Sequence, residues 1–547
     1  MDALLPTELR RHIQIVKFCT AFATGVGVIP YHGDALPTEL SRHASLIYNV
    51  RLCYYLNIMH KSKQHHNSTI FPTTSKVILI ISLLLFVIFA ALNLRTTIWF
   101  DEAYSAYLIR GDFSQIWQMT ALDVHPPVYY FCLKIWSLIF GTSDFALRAM
   151  SVFFGAIAIV LANRLLCRWF GAKSANFATL ALAISPIFIR YSQEMRMYAL
   201  VFVIILSATL LLDTALRNKR WPAWLGYALI IALGMWTHYF TALAWLAHLA
   251  YIAYYFRKTS FQPHVFWVYP LAVACFLPWI PTFFNQLHSV QGGFWIPPVN
   301  LSTPLSFFSE SLTLHDATAA SNWLIVPILA TLTLAGYLLC KNHPRRSANF
   351  VFLALLILLP PLLLIMLSLP PLKPTYVTRY VAYSASLVWA LLGLIIAWSR
   401  QTNHRLTAGL LAVCCLICAG IGLVQADTRD NDTNPRAITT AIHTHSTPAP
   451  VLAHVDPMDY YNLFFYETPD YPCYSADMDV VWSSLEPIRN YQANYLEDTA
   501  DFIRHQDHFW LILPADATDT PDYDLRAFQN TNAFRTEKFV AREFRRD

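Results

Sequence analysis

Asp101 and Glu102 are adjacent carboxylates placed directly after the first apolar run of this 547-residue chain, in the segment Trp99-FDEAYSAYLIR. A carboxylate held at a membrane surface and partly desolvated can take the proton of a hydroxyl, an effect worth about 10²–10⁴ in rate. The same two side chains are equally suited to capping the helix that follows. Further along, Asp123 and His125 precede a proline pair in Asp123-VHPPVYYFCLKIW, where they suit a metal, a polar substrate or a structural contact. Arg190, Glu194 and Arg196 crowd the short segment Arg190-YSQEMRMY, which ends at Tyr198. Ionisable groups at a membrane boundary are costly unless paired or functional, so an Arg–Glu pair is the plain alternative there. His238 and Tyr239 lie at the next boundary in Trp236-THYF, and Lys373, Arg379 and Tyr380 in Pro370-PLKPTYVTRY. Lys373 and Arg379 beside an apolar run are suited to clamp a phosphate, the arginine as a forked donor and the lysine as a point charge.

Such residues need a scaffold, and composition names its class. Hydrophobic residues are 56% and charged residues 13% of the chain, with mean hydropathy +0.40. Soluble proteins carry roughly 25% charged residues, so this is a polytopic α-helical membrane protein. Apolar runs near the ~20 residues needed to cross a bilayer lie at 77–94, 126–140, 146–165, 175–190, 198–215, 222–237, 240–256, 264–285, 322–340, 349–369, 381–399 and 406–424. The positive-inside rule decides the status of the second run. If 126–140 crosses, the basic clusters scatter to both sides. If it lies flat as an interfacial helix, Arg164/Arg168/Lys173, Arg217/Lys219/Arg220, Arg257/Lys258, Lys341/Arg345/Arg346 and Arg400/Arg405 all fall inside. That leaves about eleven transmembrane helices, with the N-terminus inside and the C-terminus outside. Nine acidic residues lie between 76 and 424, and all but Asp213 then sit on the outer face.

Three regions follow. Residues 1–75 contain the near repeat Asp2-ALLPTELRRH and Asp34-ALPTELSRH without a span-length apolar run, and are expected to be a poorly ordered cytoplasmic extension. Met59 precedes a short basic leader (Lys61, Lys63, Lys76) of the kind that opens such proteins. Residues 76–424 form the membrane region. Residues 425–547 hold 21 of the 34 acidic groups and 10 of the 39 basic ones, and strand-like Val451-LAHV and Phe509-WLIL give them the character of a small α/β domain outside the membrane. A basic membrane part with an acidic tail argues against nucleic acid, since the positive charge is spent on topology. Most of the ten cysteines lie in apolar runs, with only Cys473 in the tail, which implies neither a disulfide framework nor a CxxC metal site.

In order along the chain, FDEAYS from Phe100, DVHPPVYY from Asp123, GTSDFALR from Gly141, SPIFIRYSQEMRMY from Ser185, THYF from Thr237 and KPTYVTRY from Lys373 closely resemble the bacterial glycosyltransferase family 39-like proteins. These are relatives of protein O-mannosyltransferases, the aminoarabinose transferase of lipid A and rhizobial galacturonosyltransferases. The resemblance covers about residues 77–400. It implies a GT-C fold with interfacial helices in the first outer loop, an active site on the outer face of the bacterial plasma membrane, and a polyprenyl-phosphate-sugar donor. The acceptor would be a lipid, a glycan or a protein, and membrane lipids surround the site. Asp101 would be the base, Glu102 its support, and Glu194 the second acidic position, which in relatives organises a metal or the acceptor. Arg196, Lys373 and Arg379 would stabilise the departing lipid phosphate. Relatives differ in metal dependence and there is no DxD motif here, so a divalent cation stays an open question. A transporter, which places charges near the bilayer midplane and often shows inverted repeats, is the first alternative. A lipid-carrier-dependent polymerase or ligase is the second, but the long loop 286–321 carries only Glu310 and Asp316 as charges. Cysteine-accessibility labelling is expected to find 164–174, 217–220 and 341–346 on the cytoplasmic side and 425–547 outside; external labelling of a cysteine at Lys219 would sink this topology.

Overall fold

The computed structural model describes residues 73–547 except 93, 95, 293–295, 317–318, 343, 428–434, 477–495, 497 and 518–522. The extension expected over 1–75 lies almost wholly outside the described residues. The helical part opens with α1 (Thr73–Leu92) and three short helices, α2 (Phe100–Leu108), α3 (Phe113–Leu122) and α4 (Val128–Phe140). It continues with α5 (Asp144–Phe170), α6 (Ala172–Ala183), α7 (Pro186–Gln193), α8 (Tyr198–Asn218), α9 (Trp221–Thr237), α10 (Thr241–Phe256) and α11 (Val265–Phe276). A 3₁₀ turn at Leu277–Trp279 leads into α12 (Ile280–Gly292), followed by α13 (Thr303–Thr313), α14 (Ala319–Asn342) and α15 (Pro344–Met366). After a second 3₁₀ turn at Thr378–Val381 come α16 (Ala382–Gln401) and α17 (Arg405–Asp427).

Local sequence explains the breaks. Asp112 and Gln115 close a reciprocal capping box on α3, each side chain accepting from the other's backbone N–H at 2.8 Å. Ser143 Oγ accepts from Ala146 N at the start of α5. The run expected at 175–190 is two helices bent by 57°, because Ser185 caps and Pro186 starts α7. Helix α4, at 13 residues, rises only about 20 Å and cannot cross a ~30 Å hydrocarbon layer.

Among the described residues seven helices are long and apolar enough to span, eight if the bent pair is one span. Against the expected eleven, α9 and α10, with 17 and 16 residues, are the short ones. Ile80, Leu84, Val87 and Ile88 on α1, and Leu406, Leu410, Val413 and Ile417 on α17, are exposed at helical spacing, as lipid-facing stripes require. Helix α16, by contrast, is nearly all buried. Charge sorts to the two ends of α5, which lie about 40 Å apart for 27 residues. Arg148 is near one end. At the other, Asp213 takes Arg168 (2.5 Å), Arg217 (2.8 Å) and the indole N–H of Trp169 (3.2 Å).

The C-terminal part adds α18 (Pro435–His445), β1 (Val451–Ala453), α19 (Pro457–Phe464), β2 (Cys473–Ser475), α20 (Thr499–Arg504), β3 (His508–Pro514), β4 (Phe528–Arg535) and β5 (Phe539–Arg546). The sheet order is β2-β1-β3-β5-β4. The two segments expected as strands, β1 and β3, pair in parallel with Val451 opposite Trp510, and β5 runs antiparallel to both β3 and β4. Strand β3 is buried through its middle, as an internal strand covered on both faces must be, while β4 at the edge is largely exposed.

Gly393 marks a close helix crossing: a Cβ there would lie 2.5 Å from Ala178 Cα and from the Phe177 carbonyl oxygen, both backbone atoms of α6. Gly393→Ala must push α16 off α6 and is expected to cost about 1–3 kcal/mol, read as a lower midpoint in thermal unfolding of the purified protein; an unchanged midpoint would show that the crossing is looser than described.

Candidate active site

The site is built around α2. Trp99 occupies its N-cap, so the two carboxylates belong to its first turn and are not the cap. Consecutive residues on a helix point about 100° apart, and the pair divides accordingly. Glu102, 1% exposed, turns into the bundle and takes both arms of Arg148, at 2.8 and 2.6 Å. Its Oε1 also accepts the backbone N–H of Met195 (2.9 Å). Arg148 spends its remaining donors on the carbonyls of Leu94, Thr96 and Thr97. Glu102 therefore ties together α2, α5, the strap after α1 and the turn before α8.

Asp101 faces two other cations. Its Oδ2 lies 3.3 Å from Arg379 Nη1 and 4.0 Å from Arg196 Nε. Arg196 is 3% exposed. It donates to the Asp101 carbonyl (3.3 Å), Ser105 Oγ (3.2 Å), the Tyr130 hydroxyl (3.3 Å) and His125 Nε2 (3.2 Å). Arginine can only donate, so His125 Nε2 accepts and its Nδ1–H donates to Asp123 Oδ2 at 3.0 Å. Burial alone would lower the Arg196 pKa, but Tyr130, Asp101, Tyr198 and Asp123 raise it well above its ordinary value. The His238 ring lies 6.0 Å from that of His125, 5.6 Å from Tyr380 and 6.3 Å from Tyr198. Burial, then the charges of Arg196 and Arg379, hold His238 well below its usual value, so it is neutral. Arg379 also lies over the Trp99 ring at 5.5 Å.

Of the residues singled out in the sequence, Asp101, Asp123, His125, Arg196, Tyr198, His238, Arg379 and Tyr380 come together. The others lie to the side. Glu194 pairs with Arg190 (3.6 Å, one turn earlier). Tyr239 donates to Gln286 (2.5 Å) and accepts from the Trp279 indole (2.7 Å), which joins the start of α10 to α12. Lys373 is exposed. Among the described residues no three His, Cys, Asp or Glu side chains gather to hold a metal ion; Asp123 and His125 are spent on each other and on Arg196.

Residues 124–281 match the family described as dolichyl-phosphate-mannose-protein mannosyltransferase. Among solved structures, ArnT from Cupriavidus metallidurans bound to undecaprenyl phosphate is similar over 85% of this chain and 97% of that one, with TM-score 0.57 and 15% identity. Its apo state matches over the same shares with TM-score 0.57 and 13% identity. The chain has the GT-C fold. No curated protein sequence matches it.

Within this GT-C fold the sequence reading passed over Arg148, Ser105, Tyr130 and Glu310. The first three close the motifs FDEAYS, DVHPPVYY and GTSDFALR, whose other residues drew the functional reading. Glu310, on α13, shares side-chain hydrogen bonds with Thr378 and Asp316 and has Arg190 nearby. Burial pushes its carboxyl up to about 7; Thr378 and Arg190 oppose the shift and Asp316 adds to it. Unfolded, Glu310 loses its proton near 4.5, whereas folded it keeps it to about 7. The folded state thus binds the extra proton in between, and the Glu310 contribution is complete below the lower value and is lost as pH rises through the upper one. Glu310→Gln stays neutral and still donates to Asp316, so its thermal midpoint should exceed that of the parent at pH 8 and equal it below pH 4.5. Equal midpoints for the two proteins at pH 8 would refute the shift.

Proposed function

We propose that this protein is an integral-membrane, inverting glycosyltransferase that moves a sugar from a polyprenyl-phosphate-linked donor to an acceptor hydroxyl on the extracytoplasmic face of the cell membrane. The observation that carries this reading is the placement of Asp101 between Arg196 and Arg379 at one end of the helix bundle. The family match over 124–281 and the likeness to an ArnT bound to undecaprenyl phosphate support the donor class. The sorting of basic clusters to the other end of the spans supports the outer location.

In this reading the acceptor oxygen attacks the anomeric carbon, its proton passes to the Asp101 carboxylate, and the bond from that carbon to the phosphate oxygen breaks. The lipid phosphate leaves with the bonding pair, and Arg196 and Arg379 meet the charge it gains. Neutral His238, with Tyr198 and Tyr380, walls the site without adding charge. His125, anchored by Asp123, holds Arg196 in register. No step passes through a metal. Asp101 is flanked by two guanidinium groups, and such neighbours weaken a base. A phosphate that draws off those cations restores its basicity, so the base becomes competent when the donor is in place.

This predicts the direction of two substitutions. Asp101→Asn keeps the shape but not the charge, and should lower turnover by about 10²–10⁴ with donor binding unchanged or tighter, since it frees both arginines. Arg379→Ala should weaken donor binding first. Release of lipid phosphate from a panel of polyprenyl-phosphate sugars measures turnover. Near-normal turnover in Asp101→Asn with a dead Glu194→Gln would move the base to Glu194.

A further inference from the structure

The sheet domain does not simply follow the membrane region; its helix α19 packs on the helix that carries Asp101. Tyr461, fully buried, sets its ring edge-on among Phe100 (5.7 Å), Tyr104 (5.4 Å) and Tyr107 (5.4 Å). Phe464 adds a second edge contact to Tyr107 at 5.8 Å. Both ends of α2 are tied to the same short stretch. Before it, Ile98 N–H donates to the Tyr466 hydroxyl (3.2 Å). After it, Arg110 pairs with Glu467, donates to the Phe464 carbonyl (3.1 Å) and covers the Phe464 ring at 4.0 Å. Tyr461 also lies within electrostatic reach of Asp123.

A nine-residue helix has little stability of its own, since isolated helices shorter than about 12–15 residues are marginal in water. Helix α2 therefore depends on what grips it. Glu102 grips the face toward the bundle, and Tyr461 grips the aromatic face made by positions 100, 104 and 107, which repeat at helical spacing. Asp101 lies between these two grips.

We propose that Tyr461 is a positioning residue: through α2, the sheet domain holds Asp101 at its place against Arg196 and Arg379 and so sets turnover rather than donor affinity. The proposal rests on Asp101 acting as the base. A displacement of about 1 Å at a reacting group can cost as much as 10²-fold in rate.

The test uses the full chain in lipid nanodiscs with a polyprenyl-phosphate sugar that the parent turns over. Tyr461→Ala should lower kcat by about 10–100-fold and leave the donor KM within about twofold. Amide exchange should quicken in 98–110 while β3 stays protected. Tyr461→Phe keeps the ring and should restore all three readouts. Should Tyr461→Ala fail to accumulate, Tyr461→Leu keeps most of the apolar volume without the edge contacts and is held to the same outcomes. Normal kcat in Tyr461→Ala with Asp101→Asn inactive would overturn this positioning role alone. So would equal loss in Tyr461→Phe, or faster exchange throughout β3 and the bundle. Normal transfer by Asp101→Asn would overturn the base and the positioning role together.

Discussion

The buried Glu102–Arg148 ion pair is the contact on which the site geometry depends. Their side chains are 1% and 5% exposed, and an ion pair so placed is held only if its other hydrogen-bonding capacity is met. Here it is: three strap carbonyls take the arginine's remaining donors, and the Met195 N–H reaches the glutamate. Removing one partner of such a pair typically costs about 3–5 kcal/mol, because the other charge is left uncompensated. The four segments it joins supply Asp101, Trp99 and Arg196. Arg379 reaches the cluster from the far side of the chain, where its guanidinium meets Asp101 and the Trp99 ring.

Charge explains why the remaining groups are neutral or paired. Two guanidinium groups face Asp101, and Asp123 behind His125 supplies the second carboxylate, so the four charges balance and a further cation would repel both arginines. His238 stays unprotonated chiefly because it is buried, with the nearby arginine charges adding to the shift, and His125 presents a lone pair to Arg196 rather than a proton. The hydroxyls of Ser105 and Tyr130 accept from one amino group of Arg196 without changing the balance.

Much of the scaffold was legible because apolar runs, prolines and basic clusters act locally. The short α4, the start of α7 at Pro186 and the strands at Val451 and Phe509 are all written in composition within a few residues. The gathering of Asp101, Asp123, His125, Arg196, His238 and Arg379 was legible as a set of boundary residues on one side. The division of labour within it was not. Asp101 and Glu102 look alike in sequence, and only the 100° step of a helix sends one to Arg196 and Arg379 and the other to Arg148. Tyr239 and Lys373 share motifs with His238 and Arg379, but adjacency in sequence does not carry a side chain across a turn. The docking of α19 on α2 joins residues more than 350 positions apart, a separation that no periodicity encodes.

The bend between α6 and α7 has one more consequence. A carboxylate cannot tell an acceptor hydroxyl from water by proton affinity, so a transferase that relied on Asp101 alone would hydrolyse its activated sugar. Because the helix breaks at Ser185, the turn that carries Glu194 and Arg196 is packed under Ser151 and Gln193 rather than raised into solvent. Arg196 and His238 are each 3% exposed. The kinked span thus keeps bulk water from the Arg196 and His238 side chains, which under the proposed function favours transfer over hydrolysis.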